Sequence, residues 1–335
     1  MISYSHTIGI ASFEGRGFMN PVDLALDNDG LLYVLSRSNA SNKDVRVSVQ
    51  TTDSEYKREF GRWGTEPGQT ILPSSIAIDK GNRVYVSDEF MHNISVFDTD
   101  GTFIERWGEL GSDPGHFNRP SGIRLDLDGN IVVVDHLNSR VQKFDSRGNL
   151  LSNFGTFGYD DGEFNYPWGL CVDALNNIWI ADWRNDRIQK FDAFGHFLMT
   201  IGESGHNDGQ LHRPSSVTVD SDGNIYVADW GNERIQVFDA NGILLNIMCG
   251  EATLSKWALE WLEVNKDEYN ARKNSNLVIA ELPTHLNSPY HVSSQTEHLF
   301  WGPVSVKLDT ENRFYVTEHS RHRIQIFQRC ETTVS

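Results

Sequence analysis

Apolar and polar positions of the chain repeat in short blocks of alternating type. In the block that starts at Pro214, apolar residues alternate with polar ones up to Val219, and an Asp-Gly turn precedes an apolar run at 225–227. A polar loop, a second apolar run at 235–238 and an Asn-Gly turn then lead to residues 244–248. Short β-branched and aromatic runs separated by such turns predict antiparallel strands, so this block predicts four strands.

The block occurs six times along the chain. The copies start at Pro21, Pro73, Pro120, Pro167, Pro214 and Pro303. Successive starts are 47 to 52 residues apart, except that the last lies 89 residues after the one before it. Four strands every 40–50 residues are typical of a propeller blade. The sequence therefore predicts an all-β fold, a six-bladed β-propeller that forms one domain over residues 1–335.

The sequence motifs of the repeats resemble those of a known family. The segments GNIYVAD at 223–229 and NERIQVFD at 232–239 resemble NHL repeats, and the resemblance covers almost the whole chain outside residues 251–300. It implies a propeller of the NHL type. In that type, one face carries the loops between second and third strands, the links between blades and the mouth of the central channel.

The ends of the chain predict how the ring closes. The sixth copy stops after its third strand, whereas residues 6–11 form an unused alternating run before the first copy. We expect residues 6–11 to be the outer strand of the sixth blade, because an open strand edge invites aggregation.

Residues 251–300 form an insertion between the fifth and sixth copies. Within it, residues 253–274 predict a helix with an apolar stripe, which consists of Leu254, Trp257, Ala258, Trp261 and Leu262. The nearest surface is the mouth of the ring, so we expect a helical lid over the channel that encloses a ligand. The alternative is a fixed structural helix that blocks the channel or contacts a second copy.

The composition of the chain limits the classes of partner that it can bind and the locations that it favours. The chain has 335 residues and a formal net charge of −17, and its basic residues are scattered. Both features disfavour binding to nucleic acid. Neither an apolar run long enough to span a membrane nor a signal peptide is predicted. Cys171, Cys249 and Cys330 show no paired spacing, which favours a reduced cytoplasmic location, although a mature secreted chain would look similar.

One loop position holds a carboxylate in five copies: Asp88, Asp135, Asp182, Asp229 and Glu318. In four of these copies an arginine follows five residues later: Arg140, Arg187, Arg234 and Arg323. A carboxylate and a guanidinium at a repeated spacing predict an ion pair that holds each loop in place. A catalytic ring of carboxylates is the alternative.

The next position varies between copies and provides the candidate site. It reads Arg37, Glu89, His136, Trp183, Trp230 and His319. His136 or His319 would act as general base or, with Glu89, as ligands of a divalent metal. Arg37 and the adjacent Arg184 would bind an anionic substrate group or stabilise an oxyanion. Trp168, Trp183, Trp230, Trp257 and Trp261 would supply the apolar contacts of the ligand. The alternative is that these side chains only fill the channel.

These residues favour a small-molecule-binding propeller with a lidded pocket, acting as a lyase or hydrolase through a metal or a histidine. The alternative class is a protein-interaction scaffold, and RNA binding comes third. The chain also resembles peptidylglycine amidating lyase, in which zinc is held by histidines directly after the repeat proline. Here that position holds no histidine: it reads Val22, Ser74, Ser121, Trp168, Ser215 and Val304.

Overall fold

The structure, a computed structural model, describes residues 2–37, 44–275 and 282–329. Cys330, residues 38–43 of the first predicted loop and residues 276–281 of the predicted insertion lie outside this part of the chain. Six four-stranded antiparallel sheets form in the described residues, and each corresponds to one repeat. The predicted all-β, six-bladed propeller is therefore confirmed.

The first three blades follow one another along the chain, each from inner to outer strand. Blade one consists of Pro21–Leu26, Leu32–Ser36, Arg46–Gln50 and Tyr56–Phe60. Blade two consists of Pro73–Ile78, Arg83–Asp88, Asn93–Asp98 and Phe103–Trp107. Blade three consists of Pro120–Leu125, Ile131–Asp135, Arg140–Phe144 and Leu150–Phe154.

Two more blades follow the same order, and the sixth takes its outer strand from the start of the chain. Blade four consists of Leu170–Val172, Ile178–Asp182, Arg187–Phe191 and Phe197–Ile201. Blade five consists of Pro214–Val219, Ile225–Asp229, Arg234–Phe238 and Leu244–Met248. Blade six consists of Pro303–Leu308, Arg313–Glu318, Arg323–Arg329 and Ile2–Ile8. Two short strands, Arg62–Trp63 and Gln69–Thr70, pair in parallel between blades one and two.

The hydrophobic core lies between neighbouring blades. Trp179 and Ile188 of blade four pack in one cluster with Val217 and Ile225 of blade five. Both faces of the second strands Ile178–Asp182 and Ile225–Asp229 are thereby covered, which explains their continuous burial. The packing fixes the blades as a ring and holds their loops at one end of the channel.

The closing strand lies four residues earlier than the sequence predicts. Ile2–Ile8 pairs antiparallel with Arg323–Arg329. Gly9 ends the strand with φ of +104°, and a Cβ there would lie 2.6 Å from the ring of Phe18. Ala11 instead forms a parallel bridge with Phe18. The chain therefore turns away at Gly9, before the end of the predicted strand.

Among the described residues between Leu244–Met248 and Pro303–Leu308, three α-helices form: α1 (Lys256–Val264), α2 (Lys266–Lys273) and α3 (Pro289–Gln295). Three-residue 3₁₀ helices occur at His136–Asn138, Trp230–Asn232 and Thr284–Leu286. In the described part of the chain, no helix is long and apolar enough to cross a membrane.

The helical lid predicted over the channel mouth is not confirmed. The side chain of Trp257 on α1 packs with Ile8 and Phe18, and its Nε1 donates to the Ser54 carbonyl at 2.7 Å. Ser54 belongs to the turn between the third and fourth strands of blade one, which is at the opposite end of the strands from the mouth loops. Helix α1 therefore covers the outer edge between blades six and one.

Candidate functional site

The loops at the mouth are held by the repeated ion pairs. The distances from arginine Nε to the carboxylate are 2.8 Å for Arg140–Asp135, 2.9 Å for Arg187–Asp182, 2.8 Å for Arg234–Asp229 and 2.6 Å for Arg323–Glu318. Each carboxylate is fully buried and also accepts from a glutamine of the third strand. The carboxylates are therefore engaged within the blade, as the structural interpretation expects. The next loop residue lines the cavity in four blades, as Arg37, Trp183, Trp230 and His319.

A cavity of about 430 Å³ opens at the mouth of the channel. Its wall consists of Val22, Arg37, Leu72, Ser74, Trp168, Trp183, Ser215, Trp230, Val304 and His319. Five of the predicted site residues are among them: Arg37, Trp168, Trp183, Trp230 and His319. Three indole rings with a few polar groups form the kind of lining that small-molecule pockets have, and the volume lies within their usual range.

The channel narrows beneath this cavity around a buried carboxylate. Asp23 accepts hydrogen bonds from Ser75 Oγ at 2.5 Å and Ser305 Oγ at 2.6 Å. It also forms ion pairs with Arg124 at 3.2 Å and Lys307 at 3.1 Å. The space left among these groups is only about 20 Å³. The cavity is therefore a cup with a polar floor rather than an open tunnel.

Two of the predicted residues lie directly behind the wall. The His136 ring lies 5.1 Å from that of Trp168, and its Nδ1 lies 3.0 Å from the Pro167 carbonyl oxygen. Glu89 is buried and pairs with Arg37, with 2.7 Å between Arg37 Nη1 and Glu89 Oε1. These two side chains support the wall residues Trp168 and Arg37.

Trp183 is flanked by two guanidinium groups. The Cζ of Arg184 lies 5.7 Å from the centre of this ring, and that of Arg213 lies 5.1 Å from it. Arg184 also lies 5.3 Å from the ring of Tyr166. The predicted residue Arg184 thus sits at the mouth beside the aromatic wall, although it does not line the cavity. Cation–π contacts of this kind fix the plane of an indole.

The structure does not bring His136, His319 and Glu89 together as the predicted metal site. Among the described residues, no three His, Cys, Asp or Glu side chains lie close enough to hold a metal ion. The physical reason is that Glu89 turns to Arg37, whereas the Nδ1 of His136 turns to the Pro167 carbonyl. We therefore base no mechanism on a metal at these residues.

Trp257 and Trp261, predicted to contact the ligand, lie on the outer edge of the ring. Trp257 is 4% exposed in the core between blades six and one, and Trp261 is 48% exposed. Neither lines the cavity. Their helix docks on the rim because Arg16 pairs with Glu260 at 2.9 Å and Lys256 pairs with Glu55.

Sequence reasoning gave no ligand role to Leu72 or to four wall residues that directly follow the repeat proline: Val22, Ser74, Ser215 and Val304. Their position was already marked by Trp168, which occupies it in blade four. In five blades the inner strand starts at the repeat proline beside the channel, and in blades one, two, five and six the residue after that proline lines the cavity. The variation at this repeat position is a signal that could have identified these residues.

Both histidines of the site are neutral near pH 7. Burial lowers the pKa of His136 to about 4, and Arg119, Arg37 and Arg184 act in the same direction, against the hydrogen bond to Pro167. Burial also lowers the pKa of His319 to about 4, assisted by Arg37. The positive charge at the mouth therefore belongs to arginines.

These shifts predict acid sensitivity. An unfolded chain protonates its histidines near pH 6.5, whereas the folded chain protonates His136 and His319 only near pH 4. Below pH 6.5 the unfolded chain binds protons that the folded chain does not. The free energy of unfolding is therefore highest above pH 6.5 and decreases as the pH falls toward 4. Between pH 7.5 and pH 5 we expect His136 alone to account for a loss of about 2 kcal/mol in urea unfolding.

The variant His136→Gln should lack that part of the pH dependence. His196→Gln is the matched control, since His196 is 78% exposed and pairs only with Asp192. If His136→Gln lost as much stability between pH 7.5 and 5 as the wild type, the assignment of His136 would be wrong.

Two family models match the chain. The NHL repeat matches residues 164–191, 211–238 and 300–327, and a model described as a 6-bladed beta-propeller matches residues 69–154. The fold and these matches define the class: the chain forms a six-bladed β-propeller that contains NHL repeats. A comparison with curated proteins gave no significant match.

Solved structures share the fold at low identity. A protein of unknown function from Bacteroides thetaiotaomicron VPI-5482 is 17% identical with a TM-score of 0.63, covering 98% of this chain and 76% of its own. Virginiamycin B lyase from Staphylococcus aureus is 11% identical with a TM-score of 0.56, and the match covers 98% of this chain and 100% of the lyase chain. A chain of the nidogen/laminin complex is 18% identical with a TM-score of 0.54, covering 74% and 92%. Identities this low support the fold alone.

Proposed function

We propose that this propeller binds a small molecule in the cavity at the mouth of its channel. The observation that carries the proposal is the lining: Trp168, Trp183 and Trp230 face a cup of about 430 Å³ in which Arg37 and His319 are the charged or titratable groups. Large apolar walls with few polar groups bury a ligand and also orient it. The narrow floor around Asp23 would stop the ligand from passing through the ring.

The part of the insertion that borders the channel mouth is the segment around α3, not α1. Helix α3 lies beside the turn Trp230–Asn232, and Arg321 donates to carbonyls of Ser293 and Thr296 at the C-terminal end of that helix. We propose that this segment supports the Trp230 side of the mouth and leaves the entrance open.

Ligand binding is tested with Trp183→Ala. A library of flat aromatic fragments is screened by ligand-observed NMR against wild type, and the best hits are titrated into the variant. We expect Trp183→Ala to weaken them by about tenfold or more, since an indole supplies one of the largest apolar contacts in a site.

Trp261→Ala is the matched control, because it removes the same side chain from the exposed outer rim. Hits that bind both variants as well as wild type would place the binding outside the cavity and contradict the proposal.

A lyase or hydrolase activity is a second candidate function. The observation that favours it is that His319 and Arg37 line the same cavity. A neutral imidazole there is a candidate general base, and the guanidinium beside it would stabilise developing negative charge. Turnover that survived His319→Gln unchanged would rule out this role.

A protein-interaction scaffold remains the alternative class. Exposed apolar side chains surround the mouth, including Phe90 in a loop of blade two and Phe157 and Tyr159 in the link before blade four. A stoichiometric protein partner whose binding was lost in Phe90→Ala but kept in Trp183→Ala would favour the scaffold over the small-molecule site.

A further inference from the structure

In the described residues, arginines are the charged groups at the wall and entrance of the cavity, whereas the nearby carboxylates Glu89 and Asp23 are each bound to a cation. Arg37 lines the cavity, Arg184 and Arg213 lie against its Trp183, and Arg119 is close enough to lower the pKa values of His136 and Glu89. No carboxylate lines the cavity in the described part of the chain.

Only one of these arginines is neutralised. Glu89 pairs with Arg37 at 2.7 Å, and burial raises the pKa of this carboxyl group. Among residues 2–37, 44–275 and 282–329, the guanidinium groups of Arg119, Arg184 and Arg213 take part in no ion pair. The loop carboxylates Asp182 and Asp229 are buried and bound to Arg187 and Arg234. Asp186 accepts from the backbone N–H of Arg213 and from Ser204 Oγ, both at 2.6 Å, and forms no ion pair with the Arg213 guanidinium.

This local excess opposes the overall charge of the protein. The chain carries a formal −17, yet within the described residues three arginines without an ion pair, Arg119, Arg184 and Arg213, lie around one mouth. Salt screens charges beyond about 8 Å at physiological ionic strength, so a ligand at the mouth responds to the nearby arginines rather than to the distant acidic surface. Guanidinium groups bind carboxylates, sulfonates and phosphates through paired hydrogen bonds.

We infer that the cavity takes an organic anion, a flat aromatic or apolar body with one acidic group. The body would lie against the indoles of Trp168, Trp183 and Trp230, and the acidic group would face Arg184 and Arg213 at the entrance. This inference rests on the proposed function and adds the ligand class. The geometry assigns Arg184 and Arg213 as the residues that select for negative charge.

The test uses two dyes that differ by one acidic group. These are 8-anilinonaphthalene-1-sulfonate and its neutral counterpart N-phenyl-1-naphthylamine, both followed by fluorescence on the intact chain. We expect the sulfonate to bind at least about tenfold more tightly, because hydrogen bonds to a charged group are the strong ones. The double variant Arg184→Gln/Arg213→Gln should lose that preference, measured as the ratio of the two affinities, because a looser Trp183 would weaken both dyes alike.

Arg147→Gln is the control, since Arg147 is exposed in a turn between the third and fourth strands of blade three. Circular dichroism shows whether each variant is folded before its dye data are used. Trp183→Ala should weaken both dyes, which ties the signal to the cavity.

The outcomes separate the inference from the proposed function. Equal affinity for both dyes would overturn the inference and leave a pocket for neutral ligands. A sulfonate preference that survives the double variant would overturn the assignment of Arg184 and Arg213 as the selecting residues. Sulfonate binding that Trp183→Ala did not affect would place the dye elsewhere and overturn the inference too. Failure of both dyes would also overturn it, and the fragment screen would then decide the proposed function separately.

Discussion

Replacing Trp257 with alanine is expected to lower the free energy of unfolding by about 3–5 kcal/mol. This side chain is 4% exposed, packs at 6.0 Å from the Phe18 ring and shares a cluster with Ile8. Its Nε1 donates to the Ser54 carbonyl at 2.7 Å. The variant loses the apolar contact and leaves a cavity at the seam where the ring closes. Equilibrium unfolding in guanidinium chloride measures the change.

Trp261→Ala is the matched control, four residues further along the same helix. Trp261 is 48% exposed, so we expect its removal to change stability by only about 0.5 kcal/mol. If the alanine variant fails to fold, Trp257→Phe is measured in its place. This variant keeps an aromatic ring at the seam and should lower the free energy of unfolding by less. Equal stability losses for Trp257→Ala and Trp261→Ala would show that α1 is not docked on the rim as described.

Replacing Asp182 with alanine is the second large effect, again about 3–5 kcal/mol. The carboxylate is fully buried and accepts from the Asn165 amide at 2.8 Å, Asn185 Nδ2 at 2.8 Å and Arg187 Nε at 2.9 Å. Its loss leaves the Arg187 guanidinium and a backbone N–H without their partner, and such groups are costly to bury. Urea unfolding followed by tryptophan fluorescence measures the loss.

Asp208→Ala separates this effect from a simple change of net charge. Asp208 is 78% exposed and lies 3.7 Å from Arg234, so its removal should cost less than about 1 kcal/mol. Should Asp182→Ala not fold, Asp182→Asn preserves the shape of the side chain and should show a smaller loss. An Asp182→Ala protein as stable as Asp208→Ala would argue that the loop is held by other contacts.

The repeat made most of the fold predictable. Repeat prolines and alternating apolar runs are local signals, and each block carries both, so the six blades could be counted from the sequence. The closing strand was placed four residues late because 6–11 also alternates. Only the close approach of Gly9 to Phe18 shows that the strand ends earlier.

The insertion shows a limit of pattern reasoning. The stripe containing Trp257 and Trp261 indicates that one face of a helix is covered, but it does not say by which surface. The chosen surface depends on groups far away in sequence, such as Ser54 and Phe18, which the folded ring brings to α1. No local signal separates the rim from the mouth.

Part of the site was predictable because the repeat aligns equivalent loop positions of the six blades. Variation at one repeat position pointed to Arg37, Trp183, Trp230 and His319, all of which line the cavity. The orientation of His136 and Glu89 depends on partners in other blades or links, Pro167 and Arg37, so a metal role for them could not be judged from residue type. Arg213 was missed because it precedes the repeat proline, a position that carried no prediction.

The central claim is that a small molecule binds in the cup formed by Trp168, Trp183 and Trp230 at the channel mouth. A crystallographic fragment screen of the intact protein tests it most directly, since it shows where ligands bind. The account predicts that fragments cluster against these three indoles, with acidic groups directed to Arg184 and Arg213. Fragments found only on the outer rim or the opposite face, with the cup free of them, would contradict it.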